Sequence, residues 1–590
     1  MTKGHTVSWV YVLLLFCYNF FSKGIDLNKT AEFSDNKAKY KLLISILVIS
    51  VLLFAIYLMT IFDGRSSLYT DTFCDYQYYA KTSLFLNQGY ESLSQFDNKV
   101  FATSIMPYHF FEIWLSALII KIFSIPAQIS TSIIMPMILG VISYLGIVSL
   151  AKKKTITVYF TAILLMFFTT SNFISDYLEK TGYGIGENGG LVISIILSYK
   201  TYSTFIFLIF AIQMLQFKKY ELSLILTLFI PIASIALLPT IIPFVCLSTF
   251  WLFFRNKNKK EFWYYTAFLF SYILIIFVYQ FVIWTPLNSN LYFSLFNFIN
   301  QPFALIAIKI ILCSFPVIIF TFIFKQYLDI ESEQKRIVLY SFSGLVFMSI
   351  FLISFLGGSY DIIQFFTNLY IPLVLVVFSF ALMRFKMDKR FAKISYLLVV
   401  VFLLFNVNSL KKAASSFSNN KLDPQFVSVI NNEFEKGKNN KIYCGFIHSS
   451  TAYSQFYMLS ISKVFGIGEV INCYKNNFFL IGLSDFTAVD WLKNGYKGTK
   501  VTKEFALSRV SEGTFYQYVE KCKKARKFKS ITESQIDFIQ LLNIDYLFIQ
   551  KDVNIPTQLM SYLQFVESEK NEKGYSLYRI KYADNIHKSI

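Results

Sequence analysis

Long apolar runs, separated by short polar connections, dominate the first 408 residues of the chain. An α-helix needs about 20 apolar residues to cross the hydrocarbon core of a bilayer, which is roughly 30 Å thick. The apolar pattern gives eleven candidate spans: 41–62, 127–150, 156–172, 200–217, 221–238, 240–254, 263–284, 304–324, 337–356, 367–383 and 391–408. The chain is therefore predicted to be a polytopic α-helical membrane protein.

Two of these spans, and two apolar stretches outside them, depart from this simple pattern. The spans at 221–238 and 240–254 are interrupted by prolines, so they also fit one broken pair. Residues 8–22 are apolar but short, and no small-residue cleavage site follows them, which favours a short or interfacial helix over a signal peptide. The stretch 105–123 contains Pro, His, Glu, Trp and Lys and is predicted to be an interfacial helix on the outer side.

Positive charge is concentrated on alternate connections between the predicted spans. The rich set contains Lys152, Lys153, Lys154, Lys218, Lys219, Arg255, Lys257, Lys259, Lys260, Lys325, Lys335, Arg336, Arg384, Lys386, Lys389, Arg390 and Lys393. Cytoplasmic loops of membrane proteins are enriched in Lys and Arg, so this set is assigned to the cytoplasm. The segments 63–126, 171–199, 285–303, 357–366 and the chain after about 409 are then predicted to lie outside.

The last part of the chain, 409–590, is more polar than the rest and is predicted to form a soluble extracytoplasmic α/β domain. Strand-like runs occur at 441–447 and 545–550. The segments FVESE and YSLYRI flank an N-E-K-G turn and predict a terminal antiparallel pair. The predicted organisation is thus a transmembrane domain, 1–408, whose first outer loop is 63–126, followed by this α/β domain.

The net charge of +19 does not indicate nucleic-acid binding, because most cations lie in short clusters between apolar runs. The seven cysteines show no C-x-x-C spacing, and no metal or redox motif is present. Cys444, Cys473 and Cys522 lie in the polar region, where the sequence allows one disulfide but does not pair the cysteines. A mean hydropathy of +0.50 lies well above the usual range of soluble domains.

Asp75 is the strongest candidate among the ionisable residues of the first outer loop. Tyr79, Thr82 or Ser83, and Leu86 follow it at helical spacing before Gly89, so the carboxylate precedes a predicted helix. A carboxylate at a helix N-terminus is held ionised, and capping is its commonest use. The sequence therefore leaves two roles open for Asp75, a helix cap and a functional acid.

His109 and Glu112 lie three residues apart, on the same face of a helix. They are interpreted either as a pair that binds a phosphate or an acceptor hydroxyl, or as two helix-surface neighbours. They supply too few ligands for a metal site on their own. No metal ligands are predicted.

The second outer loop adds Asp176 and Glu179 in a glycine-rich stretch, 171–190. This stretch does not connect a strand to a soluble helix, so it fails the context required of a nucleotide-binding loop. It is either a flexible connection or a second acidic contributor to a site. Lys200, at the outer mouth of the next span, either pairs with a lipid phosphate or extends to the membrane interface.

The arrangement around Asp75 resembles the GT-C superfamily of integral-membrane glycosyltransferases, in particular the aminoarabinose transferase and protein O-mannosyltransferase branch. The matching features are Asp75, the pair Tyr79 and Ala80, LFLNQG at 84–89, and MPYHFFEIWLSALIIKIF at 106–123. Two features depart from the family pattern. Asp75 is followed by Tyr76 where the family often has paired acids, with Asp71 as a substitute four residues earlier, and S-I-M-P-Y-H replaces the K-P-P-L segment and its lysine.

The resemblance implies transfer of a sugar from a polyprenyl-phosphate donor, with inversion, to a glycan, lipid or protein acceptor on the outer face of a bacterial inner membrane. It implies that Asp75 is the general base. Cations are needed to stabilise the leaving phosphate, and the outer-side candidates are Arg65, His109, Lys180 and Lys200. Transfer from such a donor implies no cofactor; a divalent cation is compatible with it but not implied.

Two other classes of protein remain as alternatives. A polysaccharide polymerase or ligase is normally organised around a large outer loop with arginines, which are nearly absent from the outer loops here. A lipid-linked sugar transporter or flippase usually has ionisable groups at the midplane and related halves. The predicted spans are nearly free of charge and show no duplicated pattern, which disfavours a transporter.

Overall fold

The structure of the chain is a computed structural model. It describes parts of the apolar region and much of the C-terminal region. The described residues are 36–61, 79, 80, 83, 86, 87, 110–125, 127–152, 155–166, 169–170, 193–194, 199–234, 237–255, 260–277, 344, 345, 369, 371–384, 424–436, 442–447, 478–482, 513–527, 530–570 and 574–581.

Apolar helices make up most of the described part of the first 408 residues. They are α1 (Asn36–Ile61), α2 (Phe110–Phe123), α3 (Ala127–Ile129), a π-helical turn (Ser130–Ile134), α4 (Met135–Leu150), α5 (Ile156–Met166), α6 (Tyr199–Gln216), α7 (Tyr220–Leu228), α8 (Ile230–Ala233), α9 (Leu238–Arg255), α10 (Lys260–Phe277) and α11 (Ile371–Met383). The short strands β1 (Thr169–Thr170) and β2 (Ile193–Ser194) pair antiparallel between α5 and α6.

Two segments of these helices, Tyr40–Leu58 and Ser130–Leu150, are long and apolar enough to cross a membrane. Both coincide with predicted spans. The shorter apolar helices are Ile156–Met166, Tyr202–Gln216, Tyr220–Ala233, Thr240–Phe254, Phe262–Leu274 and Pro372–Met383, and each overlaps a further predicted span. The predicted spans 304–324 and 391–408 lie outside the described residues, as do residues 8–22 and all but two positions of 337–356.

Two predicted spans differ from the observed helices. Within the predicted span 156–172, the structure describes a helix over Ile156–Met166, and Thr169–Thr170 pairs with Ile193–Ser194 as a strand. The described helix has 11 residues and extends about 16 Å at 1.5 Å per residue. The weak span at 221–238 is broken as predicted, since Pro231 occupies the first turn of a new helix after Leu228.

Helices α4 and α6 pack closely and run in the same direction. A Cβ atom built on Gly140 would lie 3.3 Å from the hydroxyl of Tyr202, and one built on Gly146 would lie 2.7 Å from Cγ2 of Ile209. The glycines therefore allow the two helices to approach closely, as small residues do in membrane helix pairs. The earlier residue of α4 contacts the earlier residue of α6, and the later contacts the later, so the two helices run parallel. They therefore end at the same end of the bundle.

The C-terminal region contains a five-stranded mixed sheet with order β4-β3-β5-β7-β6. Its elements are α12 (Pro424–Lys436), β3 (Ile442–Ile447), β4 (Phe478–Gly482), α13 (Gly513–Lys524), α14 (Ile531–Leu542), β5 (Tyr546–Gln550), α15 (Thr557–Met560), β6 (Leu563–Ser568) and β7 (Tyr575–Ile580). Strands β4, β3 and β5 are parallel, whereas β5, β7 and β6 are antiparallel.

Two predicted strands and the predicted terminal hairpin are confirmed within this sheet. The runs 441–447 and 545–550 form β3 and β5, and β6 pairs with β7 across the N-E-K-G turn region. Strand β4 is not predicted by the sequence pattern. The predicted domain boundary near residue 409 lies outside the described residues.

Local signals in the sequence explain where α14 begins and ends. Ser530 accepts a hydrogen bond from the backbone N–H of Glu533 at 3.1 Å, and its hydroxyl donates to Glu533 Oε2 at 3.0 Å. This exchange is a serine N-cap supported by an acid three residues later. Asn543 ends the helix with φ of 50°, a conformation that asparagine adopts more readily than most residues. The helix therefore leads directly into β5.

The thiol of Cys444 lies at the centre of the sheet core, beside Tyr546 on the neighbouring strand. Burial raises the pKa of this thiol well above its ordinary value, and the nearby charge of Asp545 raises it further. Burial, with Cys444 and Asp545, also raises the pKa of Tyr546 to about 12. Among the described cysteines, Cys444, Cys522 and Cys246 are free thiols, so a disulfide between Cys444 and Cys522 is absent.

We expect Cys444 to resist alkylation in the folded protein at pH 8 and to react once the chain is unfolded, because the thiolate is the reacting form. Both raised pKa values favour the protonated groups in the folded state. Their contribution to stability is therefore complete below the ordinary thiol pKa and is lost as the pH rises toward the folded values. Mass spectrometry after iodoacetamide treatment measures the alkylation of Cys444, with the partly exposed Cys522 as the reference. Equal labelling of the two thiols would contradict the placement of Cys444.

Candidate functional site

Three cationic connections of the described bundle, those after α4, α6 and α11, lie at one end. Lys152 follows α4, and Lys218 and Lys219 follow α6, and all three are exposed. Arg384, just after α11, donates a hydrogen bond to Gln216 Oε1 at the end of α6. Since α4 and α6 end together, these cations share an end, in agreement with the single side that the charge pattern predicts for them.

A buried polar cluster lies toward the opposite end of the same helices. It consists of Glu112, Ser116, Ser130, Thr131 and Ser203, and every member is at most 1% exposed. Ser203 lies one turn after the start of α6 and 13 residues before Gln216. At 1.5 Å per residue, about 20 Å of helix separates the cluster from the cationic end.

Glu112 is the ionisable residue of this cluster. Ser203 donates a hydrogen bond of 2.5 Å to Glu112 Oε1, which links α2 to α6 across 91 residues of sequence. A carboxyl group removed from water in an apolar bundle is costly unless hydrogen bonds compensate it. Acids buried among membrane helices commonly serve function for this reason.

Serine and threonine side chains extend the cluster toward the π-helical turn. The Ser116 hydroxyl lies 3.0 Å from Ser130 Oγ and 2.8 Å from Thr131 Oγ1, and Ser130 also donates to the Ser116 carbonyl at 3.1 Å. Glu112 and Ser116 are one helical turn apart, so the same face of α2 carries both. Short π-helical segments occur frequently at functional sites.

A second face of α2 holds the segment that follows Asp75 in sequence. Ser83 donates to the carbonyl of Ile113 at 3.1 Å, and Asn87 donates through Nδ2 to the carbonyl of Ala117 at 3.0 Å. Tyr79 and Leu86 are buried in the same contact. The described positions of this segment are helical, at the spacing that the sequence predicts. Helix α2 therefore connects the segment 79–87 to the buried cluster.

A pair of tyrosine hydroxyls lies beside the cluster and joins α1 to α6. Tyr57 and Tyr202 are both buried, and their hydroxyl oxygens are 2.5 Å apart. Tyr202 immediately precedes Ser203, and Tyr57 lies in the last two turns of α1. Buried tyrosines normally satisfy their hydroxyls in this way. The end of α1 that precedes the first outer loop thus lies at the cluster end of the bundle.

The structure places some of the predicted site residues and leaves others outside the described positions. Tyr79 packs against α2, Glu112 lies in the buried cluster, and Lys200 belongs to the first turn of α6. Asp71, Asp75, His109, Asp176 and Glu179 lie outside the described residues, as do Arg65 and Lys180. Glu112 contacts Ser203 of a distant helix, so the local pairing with His109 is not needed to explain its burial.

Sequence reasoning missed Ser203, Ser116, Ser130 and Thr131. Each is a small hydroxyl residue inside an apolar run, and such residues are also common as ordinary helix-packing contacts. The four-residue spacing of Glu112 and Ser116, which places them on one face of a helix, was the available signal for the cluster. No group of three or more His, Cys, Asp or Glu residues that would hold a metal ion occurs among the described residues.

Comparison of the chain with protein-family models and with curated proteins finds no match to either. The proposed function therefore depends on the residues of this chain.

Proposed function

We propose that the chain is an integral-membrane glycosyltransferase that transfers a sugar from a polyprenyl-phosphate carrier to an acceptor at the outer membrane face, with Asp75 as general base. The observation that carries the proposal is the buried cluster around Glu112, at the end of the bundle away from the cationic turns, with segment 79–87 attached to it. Segment 79–87 begins four residues after Asp75, which limits their Cα separation to about 14 Å in any conformation.

The proposed reaction is a single displacement at the anomeric carbon. The acceptor hydroxyl oxygen forms a new bond to this carbon while the bond from the carbon to the phosphate oxygen breaks. Asp75 takes the proton of the hydroxyl, and the polyprenyl phosphate leaves with the bonding electron pair. Positively charged groups are needed where the phosphate charge increases, and Lys200 at the first turn of α6 is positioned at the cluster end of the bundle.

Glu112 and Ser203 are assigned a positioning role in this proposal. They fix α2 against α6, and α2 in turn holds Ser83 and Asn87 through its backbone carbonyls. A general base contributes fully only when it is held within hydrogen-bonding reach of the proton that it removes. The polar contacts of α2 therefore support the geometry of the segment that carries Asp75.

We expect the double variant Ser83→Ala/Asn87→Ala to lose about tenfold in kcat while the helices remain folded, because two hydrogen bonds of about 1 kcal/mol each no longer hold the segment on α2. The measurement is initial transfer rate in proteoliposomes, with thermal unfolding of the detergent-solubilised chain as a check on folding. Substitution of the exposed Leu118 on the same helix, Leu118→Ala, is the control. Unchanged kcat in the double variant would exclude segment 79–87 from the mechanism.

Donor dependence tests the proposed function itself. Purified chain in proteoliposomes is given a radiolabelled polyprenyl-phosphate monosaccharide and an envelope extract as the source of acceptor. We expect consumption of this donor and release of polyprenyl phosphate. Consumption of only a polyprenyl-diphosphate oligosaccharide would indicate a polymerase or ligase. Movement of label across the bilayer without bond cleavage would indicate a transporter.

A further inference from the structure

The described helices carry their most exposed tryptophan and tyrosine side chains on α1, α9 and α10. These side chains are between 39% and 67% exposed, and they are Tyr40, Trp251, Trp263 and Tyr264. Tryptophan and tyrosine combine an apolar ring with one polar group, so they suit surfaces where an apolar environment meets a wet one. Their placement in the bundle therefore indicates where such a boundary lies.

Tyr40 lies at the cationic end of the bundle, in the second turn of α1. At 1.5 Å per residue, about 26 Å of helix separates it from Tyr57 in the same helix. Tyr57 pairs with Tyr202 beside the buried cluster, so Tyr40 lies at the opposite end. The neighbouring side chain of Lys41 is exposed there as well.

Trp251 lies at the same end, in the last two turns of α9. Its ring centroid is 6.3 Å from that of Tyr220, which is the first residue of α7. Tyr220 directly follows the exposed Lys219 after α6. Helix α9 therefore ends where α6 ends and α7 begins.

Trp263 and Tyr264 lie at the start of α10, next to the end of α9. The ring centroid of Trp263 is 6.3 Å from that of Phe253 on α9. Lys260 Nζ lies 5.8 Å from the centroid of the Tyr264 ring. The connection between α9 and α10 is thus also at the cationic end, and the four exposed rings share that end with exposed lysines.

Further along the same helices, the large exposed side chains are aliphatic or phenyl groups. Leu247 precedes Trp251 by one turn of α9, and Phe270 and Leu274 follow the exposed rings on α10. The order along the helix axes is cation, amphipathic ring and apolar side chain, which matches the order of headgroups, interface and hydrocarbon in a bilayer. On α1, every exposed side chain between residues 43 and 54 is apolar: Leu43, Ile44, Leu47, Val48, Val51, Leu52 and Phe54.

The exposed rings occupy two sides of the bundle. Helix α1 packs against α4 and α5, whereas α9 and α10 pack against α7. Helix α6 contacts both α4 and α7 and separates the two groups. A protein partner that covered one side would leave the apolar surface of the other side in water. A bilayer surrounds the bundle and accounts for both sides.

We propose that Tyr40, Trp251, Trp263 and Tyr264 form an aromatic belt that binds the headgroup region of the bilayer leaflet at the cationic end. The belt fixes the depth of the bundle in the membrane. A shift toward the hydrocarbon would bury the polar groups of the rings, and a shift the other way would bring the apolar side chains into water.

The aromatic belt also sets the depth of the buried cluster around Glu112. The hydrocarbon core is about 30 Å thick, and about 20 Å of helix separates the cluster from the cationic end. The cluster then lies roughly 10 Å inside the opposite boundary of the hydrocarbon. The inference concerns how the bundle sits in the bilayer, and it holds whether or not the chain transfers sugars.

Quenching of tryptophan fluorescence by brominated lipid tests the proposal. A full-length variant that retains Trp263 and has the other five tryptophans replaced by phenylalanine is reconstituted in vesicles. The phosphatidylcholine of the vesicles is brominated either near the headgroup or near the end of the acyl chains. We expect the shallow bromines to quench Trp263 several-fold more strongly than the deep ones.

Phe270→Trp in a chain without other tryptophans is the matched control. Position 270 is exposed on the same helix and lies about 10 Å further from the cationic end than Trp263. We expect the deep bromines to quench more strongly at this position. Cooperative thermal unfolding of each detergent-solubilised variant shows that it is folded. Equal quenching of Trp263 by the two lipids, or stronger quenching by the deep bromines, would overturn the proposal.

Tyr40→Trp in the same tryptophan-free chain tests whether the aromatic belt surrounds the bundle. We expect it to show the shallow preference of Trp263, although α1 and α10 lie on different sides of α6. A ring at position 40 or 263 that neither lipid quenches is covered by protein, such as a second copy of the chain. That result would also overturn the proposal.

Discussion

Asp75→Asn is expected to lower the transfer rate by about 10² to 10⁴, the usual contribution of a positioned general base. Asparagine has nearly the same size as aspartate but cannot accept the proton of the acceptor hydroxyl. The variant is expected to express and insert normally, because the substitution removes no apolar surface. Transfer to the same acceptor, measured in proteoliposomes at saturating donor, gives the effect on kcat.

Asp71→Asn is the matched comparison for this variant. It removes one carboxylate from the same loop, four residues earlier, and is expected to retain most of the activity if Asp75 is the base. A variant Asp75→Glu, which retains the carboxylate but moves it by one methylene group, is expected to have intermediate activity. Full activity of Asp75→Asn together with loss in Asp71→Asn would transfer the role to Asp71.

Glu112→Ala is expected to lower the free energy of unfolding by about 3 kcal/mol, because it removes a buried hydrogen bond to a carboxyl group and leaves a cavity. Ser203 would also lose the acceptor of its 2.5 Å hydrogen bond. Thermal unfolding of the detergent-solubilised chain measures the loss. Transfer activity is expected to fall as well, since α2 is held by this contact.

The variant Glu112→Gln distinguishes a positioning role of the Glu112 side chain from a chemical role of its carboxyl group. Glutamine retains an oxygen at the position of Oε1, so the bond from Ser203 is preserved and stability close to that of the wild type is expected. If the role of Glu112 is positioning, activity is also preserved in this variant. Retained stability with lost activity would instead show that the carboxyl group itself takes part in the reaction.

Local periodicity was sufficient to predict most of the described helices and the terminal hairpin. The segments Tyr40–Leu58 and Ser130–Leu150 coincide with predicted spans because their apolar residues are continuous over the length of a bilayer. Strands β6 and β7 were predictable because alternating residues flank a turn containing glycine. In these elements the determining interactions lie close together in sequence.

The failures arise from contacts between distant residues. Strand β4 lies in a short apolar run without a helical or strand period, and its pairing with β3 more than 30 residues earlier determines its structure. Within the predicted span 156–172, Thr169–Thr170 pairs as a strand with Ile193–Ser194. Hydrophobicity alone does not show either pairing.

The candidate site was predictable in its composition but not in its contacts. Helical spacing identified Tyr79, Ser83 and Leu86 as one face, and these residues do pack on α2. The three-residue spacing of His109 and Glu112 left open a binding pair or two helix-surface neighbours. In the structure Glu112 is 1% exposed and contacts Ser203, and His109 lies outside the described residues. A partner 91 residues away is beyond the reach of a spacing rule, so the buried cluster required the structure.

The central claim is that residue 75 faces the outer side of the membrane. The adjacent Cys74 is a natural reporter of that side. In a variant that retains Cys74 and has the other six cysteines replaced, intact cells are treated with a membrane-impermeant maleimide. Lys257→Cys in a background without other cysteines is the control for the cytoplasmic side. We predict labelling of Cys74 from outside the intact cells. Labelling of Cys74 only in inverted vesicles, as predicted for the control, would contradict a general base at the outer face.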